Sequence, residues 1–218
     1  MGYQVAIDGP AGAGKSTIAK LVAKEKGFIY VDTGAMYRAL AVHFLDQGIQ
    51  AEDTDKIIQA VDQAEVKIRY EEGIQQVYLN GVNVTGRLRE EAVGNMASKS
   101  SAIPEVRAKL LDLQRGLAQE EDVVMDGRDI GTCVLPEADV KVFLTASVET
   151  RARRRYDELQ EKGVPCDLEE IKADIRERDE RDMTRETAPL RQADDAVLID
   201  SSDMTIPEVT AAIAALCK

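Results

Sequence analysis

Short apolar runs alternate along the chain with longer stretches in which apolar residues recur every three or four positions. Five runs rich in β-branched residues predict buried strands, at residues 3–8, 28–32, 123–126, 140–145 and 196–200. Helical periodicity follows several of them, as in STIAKLVAKEK, TGAMYRALAVHFLDQG and IPEVTAAIAALC. Strands of this kind alternating with amphipathic helices predict an α/β fold, a parallel β-sheet flanked by helices. Binding residues should then lie at the carboxyl ends of the strands.

Two segments interrupt this alternation. Residues 66–85 (VKIRYEEGIQQVYLNGVNVT) alternate with period two and turn at Glu-Glu-Gly and Asn-Gly, which predicts a β-hairpin or three-stranded meander as a small β insertion lobe. Residues 151–191 are highly charged and predicted to be helical, with an interruption at Pro165. No repeat or low-complexity linker divides the chain, so we expect one domain over residues 1–218.

Composition narrows the class of function. The chain has 218 residues, 44% of them hydrophobic, and a net charge of −12, which argues against a nucleic-acid groove or an anionic membrane surface. It has no apolar run of about 18 residues and no signal-peptide pattern, so we expect a soluble, cytoplasmic protein. Three distant cysteines give neither a disulfide framework nor a zinc site, and the single histidine, His43, is expected to be structural.

The segment GPAGAGKS has the spacing of a phosphate-binding loop between a strand and a helix. Glycines allow its backbone N–H groups to converge on phosphate oxygens, and the following helix adds its positive dipole end. Lys15 would reach the β- and γ-phosphates, Ser16 would ligate Mg²⁺, and Thr17 would contact the α-phosphate. The loop itself comprises Gly9, Pro10, Ala11, Gly12, Ala13 and Gly14. This pattern predicts binding of a nucleoside triphosphate but leaves the acceptor open.

Other motifs indicate the second substrate. Arg38 in DTGAMYR follows the second strand, where its guanidinium suits an acceptor phosphate. In MDGRDIGT, a strand ends at Asp126, which would support Mg²⁺ through water, and Arg128 and Asp129 follow in a glycine-flanked turn. RARRR at 151–155 is typical of a lid over a triphosphate. Each arginine-rich segment is also compatible with a solvated helix face.

These motifs together resemble the bacterial cytidylate kinases, which are nucleoside-monophosphate kinases of the P-loop NTPase fold. The resemblance rests on IDGPAGAGKST, VDTGAMYR, NMASKSSAIPEVR, MDGRDIGT, RARRR and RERDERDMTRETAPL, in the family order and over almost the whole length. It implies a monophosphate-binding lobe at about 38–100, which includes the 66–85 insertion, and a helical lid at about 151–165. Thr33 stands where some members carry Ser, which keeps the hydroxyl.

The resemblance also implies roles for individual residues. Arg38 and Arg128 would bind the phosphate of CMP. The implied neighbours of the cytosine are Thr33, Arg107, Asp129 and Arg185. The implied neighbours of the ribose are Ser98, Arg178 and Asp182. The lid residues implied to face ATP are Arg151, Arg153 and Arg154, of which Arg154 would act in catalysis with Lys15 and Arg128.

We therefore expect a monomeric phosphotransferase that moves the γ-phosphoryl group of ATP to CMP or dCMP with Mg²⁺. Its partners would be small molecules, with no nucleic acid and no membrane. The sequence leaves two alternatives open. One is a P-loop kinase for another acceptor, such as UMP, AMP or a hydroxylated metabolite. The other is a non-catalytic module that senses ATP, although such a module would have little use for the acceptor-side arginines.

Overall fold

A parallel sheet forms the centre of the computed structural model, which describes residues 2–218. Its strand order is β2-β6-β1-β7-β8, with every neighbouring pair parallel. The strands are β1 (Gln4–Asp8), β2 (Ile29–Asp32), β6 (Val123–Gly127), β7 (Val140–Thr145) and β8 (Val197–Asp200). The predicted α/β class is confirmed, and all five predicted strands are present.

Helices cover both faces of the sheet. The helices of residues 2–218 are α1 (Lys15–Lys26), α2 (Thr33–Asp46), α3 (Thr54–Val61), α4 (Glu91–Ser100), α5 (Pro104–Glu120), α6 (Val148–Glu161), α7 (Leu168–Thr184) and α8 (Ile206–Ala214), of which α1 and α8 cover one face and α2 and α5 the other. The period-two alternation within β1 divides the core, since Val5 and Ile7 pack with α1 and α8 whereas Ala6 packs with α2 and α5. Among residues 2–218, no helix is both long and apolar enough to cross a membrane.

The 66–85 segment forms the predicted three-stranded meander, with β3 (Val66–Glu71), β4 (Ile74–Leu79) and β5 (Val82–Asn83) antiparallel. It is attached to the exposed edge of β2 through side chains. The Gln75 amide accepts from the Asp32 N–H at 2.9 Å and donates to the Asp32 carbonyl at 3.1 Å, and the Tyr70 hydroxyl donates to the Tyr30 carbonyl. The insertion lobe therefore contacts the strand that leads into the candidate site.

The charged segment forms a helical hairpin of α6 and α7, here called the lid hairpin. Its small apolar interface contains Ala152, Ile171 and Ile175. The expectation of helix as far as residue 191 was wrong, because α7 ends at Thr184 and the chain then turns through Ala188 at φ 48°. This turn directs the carbonyl of Ala188 to the Arg185 guanidinium, at 2.8 and 2.6 Å from its Nε and Nη2.

Candidate active site

A single cleft of about 920 Å³ runs from the start of α1 to the lid hairpin. It lies at the carboxyl ends of the strands, as the sheet topology predicts. The sequence-predicted residues that line it are Ala11, Gly12, Ala13, Gly14, Lys15, Ser16, Thr17, Thr33, Arg38, Ser98, Arg107, Asp126, Arg128, Asp129, Arg151, Arg154, Arg178, Asp182 and Arg185. Gly9 and Pro10 lie outside its lining, and so does Arg153.

The phosphate loop closes tightly against the sheet. A β-carbon on Gly9 would lie 1.9 Å from the Leu144 carbonyl oxygen, so only glycine allows this approach. Gly14 adopts φ +87° and caps α1, which leaves the first N–H groups of that helix directed at the cleft. The geometry is that of an anion-binding loop at a helix N-terminus.

Lys15 is 6% exposed, and its Nζ donates to the Pro10 carbonyl at 2.7 Å. Burial lowers the pKa of Lys15, and Arg128 lowers it further, whereas the carboxylates of Asp126 and Asp8 oppose the shift. A cation held with so little water is strongly stabilised by an anion brought beside it. Lys15 is therefore placed to bind a phosphate group.

Two oxygen-bearing side chains beside Lys15, the Ser16 hydroxyl and the Asp126 carboxylate, fit a magnesium ion. The Ser16 hydroxyl donates to Asp126 Oδ2 at 2.9 Å, and the Tyr30 hydroxyl donates to Asp126 Oδ1 at 2.8 Å. No group of three or more His, Cys, Asp and Glu side chains within residues 2–218 could hold a metal. Mg²⁺ does not require one, because it prefers oxygen ligands and keeps several waters.

The far half of the cleft is rich in guanidinium groups. Arg38 pairs with Asp32 at 3.0 Å and Arg128 pairs with Asp182 at 2.8 Å. Burial lowers the pKa of Arg178 to about 10, with a further contribution from Arg128. Burial alone would raise the pKa of Asp182, but the surrounding guanidinium groups, Arg128 first and then Arg178 and Arg185, together outweigh it and lower that pKa. This cluster of cations is suited to an anionic ligand.

Next to this cluster lies a buried pair, Arg107 with Asp129. The guanidinium of Arg107 donates to Asp129 Oδ2 and, at 3.1 Å, to the Ser101 carbonyl, and it lies over the ring of Tyr37. Asp129 is 5% exposed, and Arg185 lies 3.7 Å from its other oxygen. A buried carboxylate flanked by donors can distinguish a ligand that offers an amino group from one that offers an oxygen.

The lid arginines differ in their environments. Arg154 donates to the Ser201 carbonyl at 2.7 Å and reaches within 4.0 Å of where a Gly14 β-carbon would lie. Arg153 is exposed and pairs with Asp157 on its own helix. Helical periodicity accounts for the difference, because residues three apart share a face and residues two apart do not. The same reasoning applied to RARRR would have separated Arg153 from Arg151 and Arg154.

Two further predicted residues, Thr33 and Ser98, make hydrogen bonds to other residues of the protein. The Thr33 hydroxyl donates to the Asp126 carbonyl at 2.8 Å and so joins the start of α2 to β6. Ser98 on α4 accepts from Arg181 on α7 at 3.0 Å. Arg181 was not among the sequence candidates, although it lies three residues from Arg178 and hence on a neighbouring helical position.

The expectation that His43 is structural is met, since its side chain is buried and its Nε2 contacts the Ala60 carbonyl at 3.0 Å.

Asp8 is a second residue that the motifs did not single out. Its two oxygens accept from the N–H groups of Ile130 and Gly131 at 2.8 and 2.7 Å. These bonds tie the end of β1 to the turn that carries Arg128 and Asp129. A carboxylate at the end of a buried strand, directly before the phosphate loop, is the sequence signal that could have identified it.

Comparison with known proteins agrees with this geometry. The sequence profile of the family described as Cytidylate kinase matches residues 5–218. The chain belongs to the cytidylate kinase family. A cytidylate kinase of Caldicellulosiruptor saccharolyticus is 51% identical over 94% of this chain and 91% of its own. One of Lactobacillus johnsonii is 48% identical over 96% and 91%.

A crystal structure of an uncharacterized protein from Eubacterium ventriosum is also similar, with a TM-score of 0.51. The two chains are 14% identical, and the similarity covers 98% of this chain and 96% of the other. At that identity the likeness concerns the fold alone. The assignment to the cytidylate kinase family therefore rests on the sequence relatives and on the family profile, whose match at residues 5–218 includes both the phosphate loop and the arginine-rich half of the cleft.

Asp8 provides a prediction on stability. Burial raises the pKa of Asp8 from 3.8 to about 6, against the lowering effect of the two N–H groups. As pH rises, Asp8 loses its proton at lower pH in the unfolded chain than in the folded protein. This carboxyl therefore destabilises the fold increasingly as pH rises from about 4 to 6. Relative to Asp8→Asn, wild-type protein should lose about 2 kcal/mol of unfolding free energy between pH 4.5 and pH 7.5. Urea denaturation of both proteins at the two pH values measures it.

The difference in unfolding free energy between wild type and Asp8→Asn has two parts. A part that is the same at both pH values reports the hydrogen bonds that Asn cannot reproduce, and only the part that changes with pH reports the titration. Parallel stability curves for wild type and Asp8→Asn would contradict the raised pKa.

Proposed function

We propose that the protein transfers the γ-phosphoryl group of ATP to CMP or dCMP, giving CDP or dCDP and ADP. One observation carries the proposal. A single cleft joins a phosphate loop at one end to a guanidinium cluster and the buried Arg107–Asp129 pair at the other. Donor and acceptor would meet between these ends, close to Lys15.

The buried pair is the proposed reader of the base. Cytosine presents an amino donor at N4 and acceptors at N3 and O2, whereas uracil presents an acceptor at O4 and a donor at N3. Asp129 can accept from the amino group and Arg107 can donate to the acceptors. Thr33 and Arg185 would complete this end of the pocket. Uracil would place its O4 against the Asp129 carboxylate, which disfavours it.

The cluster beside the pair is the proposed site of the acceptor phosphate. Arg38 and Arg128 would bind it with their forked donors, and each already has a carboxylate partner that orients the guanidinium. Arg178, Asp182 and Ser98 line the adjoining wall and would contact the ribose. Arg178 Nε and Arg38 Nε are buried without a hydrogen-bond partner within residues 2–218, so each offers a donor to a ligand.

The loop end is the proposed donor site. Loop N–H groups and Lys15 would hold the β- and γ-phosphates, with Thr17 at the α-phosphate. Ser16 would ligate Mg²⁺ directly, and Asp126 would hold it through water. The ion would supply neutralisation of phosphate charge. Arg154 lines this end and would add positive charge, while Arg153, also proposed from the sequence to face ATP, would have to turn inward to do so.

The reaction needs no strong general base, because the acceptor phosphate is already ionised at neutral pH. Catalysis would depend on holding the two phosphates in line and on stabilising the spread negative charge with Lys15, Arg128 and Arg154. The lid hairpin would exclude the water that otherwise hydrolyses ATP. In this scheme the site residues accelerate the reaction only by positioning the two substrates and by stabilising negative charge.

A panel of acceptors tests the proposal. A coupled assay of ADP formation with ATP should give a far higher kcat/KM for CMP and dCMP than for UMP or AMP. Preference for UMP or AMP would assign the chain to another acceptor. Failure to convert any of the four, in protein that binds ATP, would support a nucleotide-sensing role instead.

A further inference from the structure

Arg151 has three partners in three different segments. It lies near the start of α6, and it is 4% exposed. Its Nε donates to the Ala146 carbonyl at 2.9 Å, and its Nη1 donates to the Ala11 carbonyl at 2.9 Å. Its Nη2 lies 2.7 Å from the Asp179 carboxylate on α7. One guanidinium therefore connects the phosphate loop, the base of α6 and α7.

The stem of Arg151 also packs against the loop. Gly12 adopts φ +77°, and a β-carbon there would lie 3.3 Å from Cβ of Arg151. The loop thus needs glycine at this position both for its backbone conformation and for the approach of Arg151. This contact is independent of the hydrogen bonds and places the same two segments together.

The hydrogen bond to Ala11 has a consequence for the next residue. A trans peptide is planar, so the carbonyl of Ala11 and the N–H of Gly12 point in opposite directions. Because Arg151 holds the carbonyl, the Gly12 N–H is directed away from Arg151. It donates no hydrogen bond within residues 2–218, and Gly12 lines the cleft. The N–H therefore stays available to an anion in the phosphate loop.

We propose that Arg151 is a positioning residue, which orients the Ala11–Gly12 peptide and couples the lid hairpin to the phosphate loop, and that it does not bind ATP directly. Its effect on donor binding rests on the proposed function, in which this loop holds the donor phosphates. Asp179 completes the arrangement, since it fixes the guanidinium from α7. Its other oxygen, Oδ1, is buried without a hydrogen-bond partner within residues 2–218, so the carboxylate depends on Arg151.

Asp179→Asn distinguishes positioning from direct binding. If Arg151 bound a donor phosphate, weakening its pair with Asp179 would free the guanidinium, and ADP would bind as tightly as before or more tightly. If Arg151 positions the loop, ADP affinity should fall instead. We expect the Kd for ADP, measured by calorimetry, to rise about fivefold in Asp179→Asn and about tenfold in Arg151→Lys. The Kd for CMP should change by less than about twofold, within the smallest hydrogen-bond effects.

The lid hairpin offers a matched control. Arg176 on α7 lies 3.7 Å from Glu149 on α6, and both side chains are exposed. Arg176→Gln removes an ion pair between the same two helices without touching the loop. It should leave ADP and CMP affinity unchanged, because exposed pairs contribute little.

A measurement on the ligand-free protein tests the coupling without any nucleotide. The amide nitrogen of Gly12 belongs to the same peptide as the Ala11 carbonyl, so its ¹⁵N chemical shift should move in Arg151→Lys and in Asp179→Asn but not in Arg176→Gln. An unmoved Gly12 signal, or unchanged ADP affinity in Asp179→Asn, would overturn the proposal. Should Arg151→Lys fail to fold, Asp179→Asn decides alone. If wild-type protein formed no CDP from CMP and ATP, the proposed function would be contradicted. The Gly12 signal would still show whether Arg151 orients the Ala11–Gly12 peptide.

Discussion

Lys15→Ala should lose about 10³-fold of its phosphoryl-transfer rate while it keeps the wild-type fold. The side chain is buried at the start of α1 and supplies charge beside the loop, not apolar packing. Burial already lowers its pKa, so its ammonium is held against a desolvation cost, and its removal should not unfold the protein. The measurement is single-turnover transfer from ATP to CMP.

Lys24→Ala is the matched control for this experiment. Lys24 lies on the same helix in its last turn and is exposed, so its removal should change neither rate nor stability measurably. Circular dichroism and thermal unfolding of both variants establish that they fold. Wild-type turnover by a folded Lys15→Ala protein would exclude this loop as the donor site.

Asp129→Asn should reduce kcat/KM for CMP by about 10- to 100-fold and leave that for UMP unchanged or higher. The carboxylate is the proposed acceptor for the cytosine amino group, and an amide in its place can donate to uracil O4. Asparagine is preferable to alanine at this position. Asparagine keeps a side-chain oxygen that can accept from Arg107, whereas alanine would leave both Arg107 and Arg185 without any acceptor at this position, which destabilises the fold for reasons unrelated to the base.

UMP serves as the internal reference for this variant. A loss confined to CMP identifies Asp129 as a residue that reads the base. If both substrates lose activity by the same factor, Asp129 organises the turn after β6 and does not discriminate. Steady-state kinetics with each acceptor at saturating ATP provides the comparison, and urea denaturation shows whether the variant has lost stability.

Local signals in the sequence determined the scaffold. The apolar runs gave all five strands of the sheet, and the Asn-Gly and Glu-Glu-Gly turns gave the meander, since strand and turn preferences act over a few residues. Helix ends followed the same rule, as at Gly27, which caps α1 at φ 75°. The phosphate loop was recognisable for that reason too, because its strand, glycines and helix are consecutive. The end of α7 was marked only loosely, because Pro189 disfavours helix at Ala188 but does not fix at which earlier residue the helix stops.

The partners of the site residues were decided by tertiary structure. Arg128 pairs with Asp182 across 54 positions, and Arg151 reaches the Ala11 carbonyl across 140. Residue types and local periodicity do not specify which cation meets which carboxylate at such separations, because the placement of the lid hairpin at the cleft beside the strand ends brings them together. RARRR predicted four cations on one helix. Helical periodicity separates Arg153 from Arg151 and Arg154, but only the fold decided which helical face meets the phosphate loop and directed Arg151 to the Ala11 carbonyl.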